Sequence, residues 1–305
     1  MRHRTERGVA LITALLVVTL ATLIAVALTT RQQLDIRRTA NILNNDQAYR
    51  YALGGESWAS RILTRDDPHS DHLKELWAIP LPPTFISGGS LHGHLEDLQG
   101  RFNLNNLIKE GQVSDKDLAR LIRLLTLLEL SPALAQVIID WIDADTNPQI
   151  PDGAEDNAYL GKTPAYRTAN QPLRSPSELR LLAGFTEASY QKLLPYITVL
   201  PTYTLINVNT APATVLQILA TGLTEQDAQT LIAARTEQPF ATTQDFLVQD
   251  ALAGLPVDAE ALSVNSAYFL FTAQVEIDRA IVHLTSILHR TSARILVVMR
   301  SRGTW

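Results

Sequence analysis

Gly8-Val9-Ala10-Leu11-Ile12-Thr13-Ala14-Leu15-Leu16-Val17-Val18-Thr19 opens an apolar run that meets no charged side chain until Arg31. From Gly8 to Thr30 the run is 23 residues long. At about 1.5 Å of rise per residue, a helix of that length crosses a bilayer core of roughly 30 Å. The segment before it, Met1-Arg2-His3-Arg4-Thr5-Glu6-Arg7, is basic. Basic residues on this flank put the N-terminus in the cytoplasm, so the bulk of the chain is expected outside the inner membrane.

Three readings of this segment compete. A secretory signal peptide finds a small-x-small cleavage site at Ala25-Val26-Ala27. Yet Gly8 stands directly against the apolar stretch, and the stretch exceeds the usual core of such signals, roughly 7–15 residues. A plain uncleaved anchor is the second reading. The third rests on a resemblance: a short basic leader, a Gly and an unbroken apolar helix is the layout of type IV prepilin-like substrates. In these a membrane peptidase cuts after the Gly and the helix stays on the mature protein. This resemblance places processing at Gly8 and Val9.

Beyond Arg31 the pattern stays helical to about Thr64 but turns amphipathic, with an interrupted stripe through Ala40, Leu43, Ala48, Tyr51, Ala52, Ala59, Ile62 and Leu63. Gly54-Gly55 marks a candidate bend. Residues 65–90 are rich in Pro, Gly and Asp and read as loop, and Ser90–Leu98 reads as a short strand. From Arg101 to about Ser263 the signals are helical. Helices are expected at Ser114–Leu130, Pro132–Ile142, Ser177–Ala183, Glu187–Leu194, Ala211–Ala220, Glu225–Arg235 and Thr243–Gln249. Ser114, Ser131, Ser175, Thr210, Thr224 and Thr242 are candidate N-caps.

The last forty residues change period. Phe269, Phe271, Ala273, Val275 and Ile277 alternate, Asp278-Arg279 reads as a tight turn, and Ala280–His289 and Ala293–Met299 continue as strands. The helical block thus interrupts a helix-plus-sheet domain. The expected fold is α+β: a long N-terminal helix packed on a small antiparallel sheet, with a large all-helical inserted domain. The expected divisions are a leader at 1–8, a transmembrane helix at 9–30, a first α/β part at 31–100, the insertion at 101–263 and C-terminal strands at 264–305.

Composition narrows the function. The chain has 305 residues, a net charge of −5 and no cysteine, which excludes disulfides, thiol catalysis and Cys-based metal sites. Val208–Phe246 looks like a helix-hairpin-helix unit, a type that often binds DNA backbone. Residues 101–260, however, hold 11 Lys and Arg against 19 Asp and Glu, so no nucleic-acid partner is expected. No P-loop, dinucleotide fingerprint or G-x-S-x-G elbow occurs. His69, Asp71 and His72 offer metal-ligand types but lack the His-Glu-x-x-His spacing.

One segment stands out chemically. Between Asp140 and Asp156, six carboxylates fall within 17 residues, and no Lys or Arg occurs between Arg123 and Lys162. Such a loop is either solvated or held by a hard divalent cation, and Ca²⁺ takes six to eight oxygens in irregular loops. Asp143-x-Asp145-x-Asn147 copies the start of an EF-hand, but Pro148 stands where the turn Gly is needed and Ala154 where the final Glu is needed. Any calcium site here is of another type.

Taken together, Arg7-Gly8-Val9-Ala10-Leu11, Ala48-Tyr49-Arg50-Tyr51-Ala52-Leu53-Gly54-Gly55-Glu56, Asp97-Leu98-Gln99-Gly100-Arg101-Phe102-Asn103-Leu104-Asn105, Asp140-Trp141-Ile142-Asp143-Ala144-Asp145, Gly153-Ala154-Glu155 and Ile206-Asn207-Val208-Asn209-Thr210-Ala211 resemble the K-class minor pseudopilins of the type II secretion system over essentially the whole chain. Most pilin-like proteins carry Glu as the fifth residue after the cut, and this class departs from it. Here the fifth residue is Thr13.

The resemblance implies a non-enzymatic subunit at the tip of a periplasmic pseudopilus, capping or initiating it for export of folded proteins. It implies H-, I- and J-class minor pseudopilins, the major pseudopilin, the prepilin peptidase, the inner-membrane assembly platform, membrane lipid and exported proteins as partners. It also implies N-methylation of Val9 and structural Ca²⁺ at Asp143, Asp145, Asp152, Glu155 and Asp156, with Asn157 or Asn170 as further contributors. The rival functions are an anchored metal-dependent hydrolase centred on the acidic loop and an anchored DNA-uptake protein using the helix-hairpin-helix block.

Overall fold

The computed structural model describes residues 6–303. Met1–Thr5 of the expected leader, and Thr304 and Trp305, lie outside the described residues. Helix α1, Glu6–Arg65, is one uninterrupted helix of 60 residues, about 90 Å long at 1.5 Å per residue. From Val9 to Leu43 every side chain is exposed. This part is long and apolar enough to cross a membrane. The C-terminal third behaves differently. Ala48, Ala52, Ala59 and Leu63, spaced four, seven and four apart, are buried.

These residues lie on a five-stranded sheet. Its strands are β1 (Leu81–Ile86), β2 (Gly89–Asp97), β3 (Tyr268–Ile277), β4 (Ala280–Arg290) and β5 (Ile295–Arg302), in that spatial order and antiparallel throughout. The period of two decides which face is buried. Phe269, Phe271, Ala273, Val275 and Ile277 share one face with Leu91, Leu95, Leu284 and Leu288, and this face forms one core with α1 and Trp77. Each fully buried Leu or Phe contributes roughly 1.5–3 kcal/mol. The other face, with Tyr268, Leu270 and Ile287, packs against Leu98 and Leu200.

The Gly54-Gly55 pair does not break the helix. A Cβ on Gly55 would stand 3.1 Å from Phe271 Cζ, so this glycine lets helix and sheet approach closely. Strand β1 was not expected, because Pro80 and Pro82-Pro83 argue against a strand. It forms the outer edge of the sheet, where a missing N–H leaves no ladder partner unsatisfied.

Strands β2 and β3 pair along their whole length, from Gly89 opposite Ile277 to Asp97 opposite Phe269. The chain leaves the sheet after Asp97 and returns at Tyr268 on the adjacent strand. Most of the chain between builds a second, largely helical core running from Phe102 to Val264. Its helices are α2 (Asp115–Leu127), α3 (Leu134–Ile142), α4 (Asp156–Tyr159), α5 (Glu187–Leu193), α6 (Ala213–Gln217), α7 (Glu225–Glu237) and α8 (Thr243–Leu247). The segment expected from Ser177 is a 3-10 helix, Pro176–Leu181, capped by Ser175.

Four of the six expected N-caps form, Ser175 among them although Pro176 follows it directly. Ser114, Thr224 and Thr242 accept from backbone N–H groups of the first turn. Ser131 and Thr210 do not cap. Their helices begin later, after Ala133 and Pro212.

A buried polar joint ties the two cores. Asp97 accepts from Thr210 Oγ1 at 2.6 Å, Ser266 Oγ at 2.7 Å, Asn207 Nδ2 at 2.9 Å and the Gln99 N–H at 2.8 Å. Burial pushes the Asp97 carboxyl up from its ordinary range, and these donors pull it back. Asn207 Nδ2 also reaches the Asp71 carbonyl at 3.0 Å. Asn103 and Asn105 hold Leu200, Thr202 and Leu173 through side-chain-to-backbone bonds of 2.9–3.0 Å.

Candidate metal centre

The C-terminus of α3 aims the acidic loop. Helix α3 is buried nearly all round. Asp140 is fully buried and its Oδ1 accepts from the Gln149 N–H at 3.0 Å, folding the loop back on the helix. Asp143 ends the helix as its C-cap. The Gly153 N–H closes a turn to the Gln149 carbonyl at 2.7 Å. A Cβ on Gly153 would fall 2.2 Å from Asp140 Oδ2, so only glycine fits this turn. Beneath lie Trp141 and Tyr159, ring to ring at 5.4 Å and nearly perpendicular.

Three of the five expected ligands converge. One carboxylate oxygen from each of Asp143, Asp145 and Glu155 lies within 4.8 Å of the other two. Asp143 and Glu155 are buried and Asp145 is exposed. Asp156 is engaged beside them, accepting from the Thr168 N–H at 3.1 Å and hydroxyl at 3.0 Å, with Arg167 at 3.8 Å. Asp152 lies exposed at the loop tip, where its N–H donates to Gln136 Oε1 at 2.7 Å.

The electrostatics are unfavourable without a cation. Burial, then Asp145, Asp140 and Glu155, push Asp143 up to about 6. Burial raises Glu155 as well, against the Thr168 hydroxyl that donates to it at 2.7 Å. Asp143 Oδ1 and Glu155 Oε1 are buried with no donor. Asn170 adds a third such oxygen, its Oδ1. Its backbone takes the left-handed conformation (φ 45°), and its Nδ2 donates to the Asp145 carbonyl at 2.6 Å.

A buried oxygen without a donor costs about 1–3 kcal/mol. Two of these oxygens, on Asp143 and Glu155, belong to residues of the converging group, where an oxygen-loving cation would supply the missing partner. With no Cys in the chain and no His in the group, the donor set suits a hard divalent ion rather than zinc. The residues present therefore fit a cation. Asn170 is the member that spacing alone would not single out, since it enters from a separate segment.

A helix that is apolar along its first half and sheet-bound along its last third, on an antiparallel sheet with a helical insertion, defines a pilin-like subunit. Residues 100–202 and 206–265 match two family descriptions, both of type II secretion system (T2SS) protein K. A protein of Pseudomonas aeruginosa called type II secretion system protein K is 38% identical, over 99% of this chain and 94% of its own. One of Klebsiella pneumoniae with the same name is 36% identical over 100% and 98%. Among solved structures, the GspK-GspI-GspJ complex of enterotoxigenic Escherichia coli contains a chain similar at TM-score 0.78 and 27% identity, covering 88% of this chain and 100% of that one. The chain belongs to the type II secretion system protein K family. It is a minor pseudopilin, a structural and non-enzymatic component of the secretion machinery.

Proposed function

We propose that this subunit sits at the tip of the pseudopilus, where it caps and helps initiate the fibre that moves folded proteins out of the periplasm. The observation that carries this reading is the arrangement at Thr13. Its hydroxyl bonds back to the Val9 and Ala10 carbonyls at 3.1 and 3.0 Å. Position five after the cut thus offers no carboxylate to the amine of a subunit above. A tip subunit has none above it, and a bare carboxylate in apolar surroundings is costly. The bulk of the insertion supports the same position.

In this reading the divisions are a leader at 1–8, a membrane helix at 9–30, a pilin-like head built from 31–100 and 264–305, and an inserted domain at 101–263. Cleavage follows Gly8 and Val9 is N-methylated. The N-terminus faces the cytoplasm, and the head lies in the periplasm. The complex named for the Escherichia coli structure supports I- and J-class partners, and we extend the set to the H class and the major pseudopilin. The cation is Ca²⁺, held by Asp143, Asp145, Glu155 and Asn170, with Asp152 and Asp156 as candidates to complete the shell. The test is co-purification of the full chain with H-, I- and J-class partners, and pseudopilus length in cells lacking it. Normal secretion and normal fibres without it would remove the tip assignment.

A further inference from the structure

A second group of carboxylates lies where α1 gives way to the loop before β1. One oxygen from each of Asp66, Asp71 and Glu75 lies within 4.8 Å of the other two. Their side chains are 12%, 0% and 13% exposed, so water screens them weakly. Arg290, at the end of β4, donates to Asp66 Oδ2 at 3.2 Å and to Asp71 Oδ2. Asp71 Oδ2 also accepts the Ser266 N–H at 2.7 Å. The other oxygen of Asp71, Oδ1, is buried and meets no donor.

The charges do not balance. Asp66 and Asp71 share one guanidinium, Glu75 has none, and a fourth carboxylate, Asp97, adjoins through Ser266, whose hydroxyl it accepts at 2.7 Å. The imidazole of His72 stands 3.6 Å from Glu75 Oε1. Lys74 turns away to the Glu237 carbonyl, at 3.0 Å. Among the described residues, only Arg290 is ion-paired with Asp66 or Asp71.

We propose that Asp66, Asp71 and Glu75 form a second divalent-cation site of the calcium class, separate from the acidic loop. A divalent ion cancels the two surplus negative charges of the three carboxylates and Arg290. It also gives Asp71 Oδ1 the partner it lacks, and the all-oxygen donor set suits a hard cation. The site lies at the joint between the cores. The Asp71 N–H donates to the Val264 carbonyl at 2.9 Å, and Asn265 Nδ2 donates to the Pro68 carbonyl at 3.0 Å. An ion here stiffens the connection between α1 and the insertion.

The test uses Tb³⁺ as a luminescent calcium mimic on the detergent-solubilised full chain. Trp77 donates its indole N–H to Glu75, so it is placed to sensitise an ion at this site. In an Asp143→Asn, Glu155→Gln background, one equivalent of Tb³⁺ should still bind with tryptophan-sensitised emission, and excess Ca²⁺ should displace it. Adding Asp66→Asn or Glu75→Gln should weaken that binding at least tenfold, with near-UV circular dichroism unchanged. If the background variant does not fold, the wild-type chain serves, and Glu75→Gln should lower its stoichiometry by one. No uptake in the folded background, as when Asp66 and Asp71 share a proton instead, overturns the proposal. So does uptake insensitive to both substitutions.

Discussion

Glu56 of α1 and Arg300 of β5 meet in a two-pronged ion pair, with Nε to Oε2 at 2.9 Å and Nη2 to Oε1 at 2.6 Å. The Ser286 hydroxyl of β4 donates to the same carboxylate at 2.5 Å. Glu56 is 5% exposed, inside the apolar seam between helix and sheet. The pair fixes the rotation of α1 against the last two strands, where a stripe of alanines alone would let the helix slide.

The two halves of that pair are unequal. The Arg300 side chain is 39% exposed and that of Glu56 only 7%. Arg300→Ala strands a buried carboxylate and should cost about 2–3 kcal/mol. Glu56→Gln keeps an acceptor for Ser286 and leaves a half-exposed guanidinium near water, so it should cost about 1 kcal/mol. Urea unfolding of the full chain in detergent measures both, and an Arg300 variant no weaker than the Glu56 variant contradicts the ranking.

Processing gives a test by mass. Gly8→Ala should leave the chain at its full length in cells with active prepilin peptidase. The wild type should begin at Val9 with one added methyl group. A wild-type chain beginning near Leu28 would mean that the apolar helix is discarded as a signal peptide.

The acidic loop predicts a pH dependence. Asp143 is raised to about 6 in the cation-free protein. A raised carboxyl contributes stability that is full below its unfolded value, about 3.9, and is lost as pH climbs through 6. Cation-free protein should therefore weaken between about pH 4 and 6, and calcium should offset the loss above that window. At a hundredfold excess over its Kd the ion adds about 2.7 kcal/mol. Below pH 6 the proton competes, and affinity should fall up to about tenfold per pH unit. A melting midpoint unmoved by chelator at pH 7.5 would remove the calcium assignment.

Gly153→Ala tests the loop by shape rather than charge. Its Cβ collides with Asp140 Oδ2 and stands 2.4 Å from the Gln149 nitrogen, so the turn must open. Calcium affinity should drop at least tenfold while far-UV circular dichroism stays near wild type. Unchanged affinity by calorimetry would show that the turn does not shape the site.

Where a physical period dominates, the sequence was readable. Phe269 to Ile277 alternate because one face meets α1, and the turn at Asp278 lies where it was expected, with φ 52°. Strand β1 was not readable, because its prolines oppose a strand and only its edge position admits them. The acidic loop announced itself by charge density, which located Asp143, Asp145 and Glu155. Asn170 carries no local signal, and of the Asp66–Asp71–Glu75 group only Asp71 was singled out, beside His69 and His72 rather than with Asp66 and Glu75. The first depends on a left-handed backbone, and the second on Arg290 arriving from β4.

Because Asp97 and Phe269 stand opposite one another on paired strands, the insertion hangs from the scaffold as an enlarged hairpin loop. A tight turn in its place would leave the sheet's hydrogen bonds unchanged. The arrangement also sets how load is carried. A push on the insertion reaches the sheet along the axes of two neighbouring strands, so their ladder bonds share it in shear rather than opening one at a time.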